Sequence, residues 1–313
     1  MTGKRGVEFS FPAFPVEREM VFIRVPGGVF PEESRFFEEK FPKSSRRIMR
    51  IAVCIKQVPG TTNVEVDPVT GTLKRDGVES KLNPYDLYAL EAALMMKEKL
   101  ASCEVWAFTM GPPQASAVLE EAFMMGADEG CLVSDRKFGG ADVLATSFAL
   151  SQALKSKGPF DLIICGRQTT DGDTAQVGSE IAEFLGIPHA ASVVSIDSME
   201  EKFLELTGDL PLCTLSFRLP YPALISVEKS IGEPRLPSYK KKLACAGKKP
   251  FVLTLADMEE KDESFYGQKG SPTRVVRIFP PEHDQEQVLW EGENAGEKLY
   301  HHLLEHKFLQ EIK

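Results

Sequence analysis

The sequence predicts a doubly wound α/β sheet, mostly parallel and Rossmann-like, of the kind that binds adenine nucleotides. Three observations lead there. From Met49 to Leu185, short apolar runs alternate with stretches of helical spacing, the rhythm of βαβ units. Phe160-Asp161-Leu162-Ile163-Ile164 is apolar without alternation, as in a strand covered on both faces. The loop from Cys165 to Gly178 joins that strand to Ile181, Ala182, Phe184 and Leu185 at helical spacing, and is rich in Gly, Asp and Thr. Ligands of such sheets bind beyond the carboxyl ends of the strands.

Taken in order, Met49 to Val58 reads as the first central strand. Asp67-Pro68-Val69-Thr70-Gly71-Thr72 is a turn signature, so a hairpin is expected between Val64 and Lys74. Asn83-Pro84 opens a helix, with Asn83 as its cap and Pro84 at its first position. Leu87, Leu90, Ala93 and Leu94 form its apolar face. Glu104 to Met110 is a second strand, and Gly111-Pro112-Pro113 leads into a helix carrying Ala117, Val118, Ala122, Phe123 and Met124. Gly130 to Ser134 is a third strand, Ala141 to Leu154 a helix, and Phe160 to Cys165 a fourth strand. Beyond His189 the pattern changes. Ser192–Asp197, Phe203–Leu206, Cys213–Arg218 and Ala223–Val227 read as antiparallel strands with short turns. Two prolines around Arg235-Leu236 indicate an exposed loop, and the basic run Lys240-Lys241-Lys242 a solvated helix face. Residues 259–283 read as a charged arm, and residues 285–312 return to helical spacing, with Asn294-Ala295-Gly296 as a candidate interruption.

The expected organisation is an N-terminal extension over residues 1–48, an α/β nucleotide- or flavin-binding domain over 49–235, and a loop and C-terminal arm over 236–313. The extension holds eight phenylalanines among prolines and charges without a sustained period. Met49 is a candidate native start; if the extension is real, its aromatic residues dock it on a neighbouring surface.

Composition narrows the function. The 313 residues carry 37 Lys and Arg against 46 Asp and Glu, a net charge of −9, which disfavours a nucleic-acid partner. Six cysteines are scattered without a CxxC pair, a usage that fits a reducing cytoplasm rather than a zinc site or a disulfide framework. No apolar run approaches about 18 residues, so no membrane span is expected. The five histidines all lie in the second half, away from the predicted strand ends. With no nucleophile–base pair in view, any redox chemistry belongs to a bound cofactor.

The candidate site is the loop Cys165 to Gly178. Gly166 and Gly172 are read as allowing a tight turn and close approach to a ligand, and Asp173 or Thr174 as capping the next helix. The orphan amides and partial positive charge of that helix start suit a phosphate. An ordinary capped βα loop accounts for the same residues. Asp171 and Asp173 read as loop caps or ribose contacts, with an acid–base pair as the alternative. The glycine spacing matches neither a P-loop nor GxGxxG.

Several motifs, in order and at their spacing, are similar to the beta subunit of electron-transfer flavoprotein. They are Ala52-Val53-Cys54-Ile55-Lys56-Gln57-Val58, Asn83-Pro84-Tyr85-Asp86, Met110-Gly111-Pro112, Met125-Gly126-Ala127-Asp128, the Gly166–Gly178 loop and Glu233-Pro234-Arg235-Leu236-Pro237. The resemblance covers about residues 49–260. It implies a heterodimer with an FAD-carrying alpha subunit, and electron carriage between dehydrogenases, among them acyl-CoA dehydrogenases, and further acceptors. In one branch of the family the beta subunit holds AMP; in another it holds a second FAD and bifurcates electrons from NADH. The Asp171–Gly178 loop and Gly270-Ser271-Pro272-Thr273-Arg274-Val275 look like the second branch, so FAD is expected, with AMP as the alternative. Carried over, the resemblance places adenine and ribose near Cys54, Asn83, Asp86 and Met110. It places the phosphates at Asp173, Thr174, Ala175 and Gln176, with Gly166, Arg167 and Gln168 beside them. It makes Leu236 the anchor for a dehydrogenase partner. The competing reading from another class is a stand-alone nucleotide-binding regulatory module.

Overall fold

The computed structural model describes residues 22–24, 48–60, 80–210, 213–274 and 289–308. The expected hairpin at 67–72 lies outside them, as do most of the N-terminal extension, His283 and Val275. The chain divides into two units, residues 1–65 with 74–275, and residues 66–73 with 276–313.

Among the described residues, the first unit is built on a ten-stranded sheet. Strand β1 (Phe22–Arg24) comes from the N-terminal segment. The central strand β2 (Met49–Cys54) is apolar from Ile51 onward, and Ile51, Ala52 and Val53 are fully buried. Burying an Ile or Val side chain contributes about 1.5–3 kcal/mol. The predicted first strand does not run on to Val58: a separate short strand, β3 (Gln57–Pro59), pairs with β4 (Ser80–Leu82) as a two-stranded ribbon. Helix α1 (Pro84–Lys99) starts on its proline and is buried along most of its length. Strand β5 (Cys103–Met110) follows, then α2 (Ser116–Met125), β6 (Glu129–Val133), α3 (Val143–Lys157) and β7 (Leu162–Gly166). Next come α4 (Val177–Leu185), β8 (His189–Met199), β9 (Phe203–Leu210), β10 (Cys213–Pro220), β11 (Ala223–Val227), α5 (Tyr239–Ala244) and β12 (Phe251–Leu253).

The sheet order is β1-β10-β9-β8-β11-β7-β2-β5-β6-β12. Strands β8, β11, β7, β2, β5, β6 and β12 are parallel, whereas the β8-β9, β9-β10 and β10-β1 pairings are antiparallel. From β2 the chain goes outward through β5 and β6 and then returns to β7 on the other side of β2. The strand order therefore reverses between β2 and β7, where doubly wound folds bind ligands. The two faces have separate cores. Ile51, Val53, Val105 and Ala107 pack with Leu90 and Leu94 of α1 and Leu119 of α2. Ala52, Phe108 and Ile163 pack with Leu150 and Leu154 of α3 and Ile181 of α4.

The fold class is as expected, with one reassignment. Ala223–Val227 is a parallel strand inserted between β7 and β8, not part of an antiparallel set. Four of its five residues are buried, so both faces are covered, the mark of a parallel strand. The Met125–Asp128 motif is structural. Gly126 ends α2 at φ 134, and Asp128 accepts from the Val105 amide at 2.8 Å and pairs with Lys97 at 2.6 Å. In the second unit, α6 (Ala295–Glu305) begins at Asn294-Ala295 instead of being interrupted there. No helix among the described residues is long and apolar enough to cross a membrane.

Candidate functional site

The site is assembled from the carboxyl ends of β2, β5 and β7 and the start of α1. Cys54 ends β2, Met110 ends β5 and Gly166 ends β7. Cys54 and Cys165 are register partners on neighbouring strands, both buried, and the hydrogen bond between them, together with burial, holds the Cys165 thiol well above its ordinary range. All the predicted site residues of the α/β domain come to this edge or to the loop that rises from it. His189 starts β8 at the opposite end of the sheet.

Asn83 stands before α1 but its side chain does not cap that helix. It is fully buried and brackets the loop after β7, donating through Nδ2 to the Gln168 carbonyl at 2.9 Å and accepting the Thr170 amide at 3.2 Å. The expected cap was a local reading; the neighbouring strand's loop offers the same groups a buried partner. Asp86, in the first turn of α1, is also buried and accepts the Lys56 amide at 2.7 Å. Burial pushes its carboxyl up to about 7, against the opposing pull of hydrogen bonds from Asn83 and Lys56. Gly166 faces Asp86: a Cβ there would come within 2.5 Å of Asp86 Oδ1 and 2.6 Å of the Tyr85 backbone. The glycine therefore makes room for α1. Gly172 has ordinary space around its missing Cβ. The left-handed positions of the loop are Asp173 at φ 52 and Ala175 at φ 54, unusual for residues other than glycine and a frequent sign of a functional loop.

Helix α4 starts at Val177 with Gln176 in the cap position and no side-chain cap, so neither Asp173 nor Thr174 caps it. Asp171 and Asp173 are engaged with other partners. Asp171 pairs with Lys56 at 2.7 Å, and Asp173 accepts from the Gln168 side-chain amide. Arg167 pairs with Glu228 at 3.0 Å. Thr174, Ala175 and Gln176 are exposed, immediately before the orphan amides of the α4 start. Sequence reasoning quoted Lys56 within a motif but gave it no role. Its pairing links residues 115 apart in sequence, and no local pattern reports such a contact.

Leu236 lies on a separate loop and is 86% exposed. Arg235 fixes that loop to α1. It donates from its backbone amide and from Nε and Nη2 to the buried Glu91 carboxylate, at 3.0, 2.8 and 2.8 Å. Nη1 reaches Glu98 at 2.5 Å. Tyr239 and Leu243, one helical turn apart on α5, are also exposed.

A family model described as the electron transfer flavoprotein domain matches residues 70–254, more than half of the chain. The chain belongs to the electron-transfer flavoprotein family. It is 42% identical over 251 residues to the electron transfer flavoprotein subunit beta of Thermoanaerobacterium thermosaccharolyticum, covering 78% of this chain and 93% of that protein. It is 43% identical over 233 residues to the caffeyl-CoA reductase-Etf complex subunit CarD of Acetobacterium woodii, covering 74% and 88%. To the protein FixA of Bradyrhizobium diazoefficiens it is 42% identical over 241 residues, covering 74% and 83%. Within this family its place is as a beta subunit, a component of electron transfer.

Proposed function

We propose that this beta subunit holds FAD at the carboxyl ends of β2, β5 and β7. With an FAD-carrying alpha subunit it passes, and in the full complex bifurcates, electrons between NADH or dehydrogenases and other acceptors in the cytoplasm. One observation carries the reading: residues just beyond β2, at the start of α1 and in the loop after β7, far apart in sequence, meet at the point where the strand order reverses. The donor set fits a phosphate. The α4 start supplies backbone amides and Thr174 an exposed hydroxyl; the backbone near Cys54, Asn83, Asp86 and Met110 is the proposed contact for adenine and ribose. Bound FAD would supply the electron-accepting chemistry; this chain's residues orient it and shield its adenosine half. The relatives' names favour this branch: CarD belongs to a reductase–Etf complex.

A flavin and adenylate count on the purified heterodimer tests the proposal. Two FAD per heterodimer is the expected result. One FAD with one AMP moves the chain to the AMP-holding branch that serves acyl-CoA dehydrogenases, and purification without a flavoprotein partner favours the stand-alone nucleotide-binding module. Thr174→Ala is expected to weaken flavin retention in the beta subunit, and unchanged stoichiometry counts against the phosphate assignment. Leu236, held out from the surface, is the proposed anchor for a dehydrogenase.

A further inference from the structure

The loop after β7 carries a charge problem for a phosphate site. A phosphate calls for donors and positive charge, yet this loop holds Asp171 and Asp173, and its one arginine, Arg167, is paired with Glu228. The missing cation comes from outside the loop. Lys56, two residues beyond the end of β2, sets Nζ 2.7 and 2.8 Å from the two oxygens of Asp171. The two side chains are 43% and 28% exposed, so the pair is open to competition from solvent and from other anions.

Other contacts also hold the loop in place, among them a hydrogen bond from the Thr169 side chain to Asp171. Asn83 brackets it at Gln168 and Thr170, the Asp173 amide donates to the Thr169 carbonyl at 3.0 Å, and the Gly172 amide donates to Thr169 Oγ1 at 3.3 Å. Gln168 also holds Asp173. What Lys56 adds to this set is positive charge, set against the Asp171 carboxylate. Asp171 stays ionised: partial burial raises its carboxyl, but the Lys56 hydrogen bond and charge outweigh that and hold it below its ordinary range.

We propose that Lys56 is a positioning residue for the anionic end of the adenylate and that Asp171 is its built-in competitor. Resting on the nucleotide reading above, the arrangement makes one ammonium group serve two anions in turn. Phosphate oxygens take the place of the carboxylate on Nζ, with no covalent change. Asp171 then lowers adenylate affinity by masking Lys56, so the site is tuned for measured retention of its ligand.

Titration calorimetry of the full-length chain with AMP and with FAD, at low and at high salt, tests this. Asp171→Asn is expected to tighten both ligands about two- to fivefold and to steepen the loss of affinity with salt. Lys56→Gln is expected to weaken them by a similar factor. The double variant should match Lys56→Gln alone, because without the ammonium there is nothing to mask. Asp171→Asn that leaves affinity unchanged or weaker overturns the proposal. So does a double variant that keeps the full gain, which would mean that Asp171 repels phosphate directly. Both positions are partly exposed, so only a small change in melting temperature should accompany the affinity changes. Wild-type chain that binds neither AMP nor FAD overturns the nucleotide reading together with this proposal. Wild-type binding with no effect of the variants overturns this proposal alone.

Discussion

Helix α1 carries two buried carboxylates five residues apart, and they organise two different surfaces. Asp86 sits at the strand-end site, where it receives the Lys56 amide and faces Gly166. Glu91 sits beneath the Leu236 loop and receives three hydrogen bonds from Arg235. Burial dominates at Asp86 and raises its carboxyl to about 7. Burial also acts on Glu91, yet the Arg235 hydrogen bonds and charge overcome it and lower the carboxyl. A buried acid beside backbone amides is driven toward neutrality, whereas one beside a guanidinium stays charged and becomes a clasp. The start of the helix thus shapes a cradle within the domain, and its middle holds a loop outward.

The strongest way to break the cradle is Gly166→Ala. Its Cβ would meet Asp86 and the Tyr85 backbone, neither of which can retreat without moving α1, so a loss of about 3 kcal/mol in urea unfolding is expected. Near-native stability would show that α1 is not seated against β7 as described. The clasp comes next. Glu91→Gln is expected to cost about 1–3 kcal/mol at neutral pH.

The pH dependence of the two acids should run in opposite directions. Because the Glu91 carboxyl is lowered in the fold, its stabilisation is present above its ordinary value of 4.5 and lost as pH falls below it. The cost of Glu91→Gln should therefore shrink in acid. Asp86 is raised, so its contribution is complete below its ordinary 3.8 and is lost as pH rises through about 7. Asp86→Asn should flatten the stability curve across that window, and superimposable wild-type and variant curves would refute the assignment. The smallest effect on folding belongs to Leu236→Ser. At 86% exposure it should change stability by less than about 0.5 kcal/mol, while weakening a dehydrogenase partner about tenfold or more in a binding assay.

Much of this was legible in the sequence because it rests on local chemistry. Apolar runs give β2, β5 and β7, Pro84 gives the start of α1, and the Gly-Asp-Thr loop gives the strand-to-helix crossing. The motif order points to the family that the comparisons establish. The misreadings came where a residue's partner lies far along the chain. Asn83 looks like a cap in its own segment and serves a loop some 85 residues on. Ala223–Val227 follows three strands of an antiparallel meander, yet inserts beside β7, where both its faces are covered.

The sequence by itself determined the α/β rhythm, the loop that serves as the candidate site and the family. Only the tertiary structure decided that α4 begins at Val177, that Gly166 is required by Asp86, and that Lys56 meets Asp171. The physical reason is one of range. Backbone propensity and apolar period act within a few residues, whereas burial and charge pairing are settled by whichever groups the sheet order brings together.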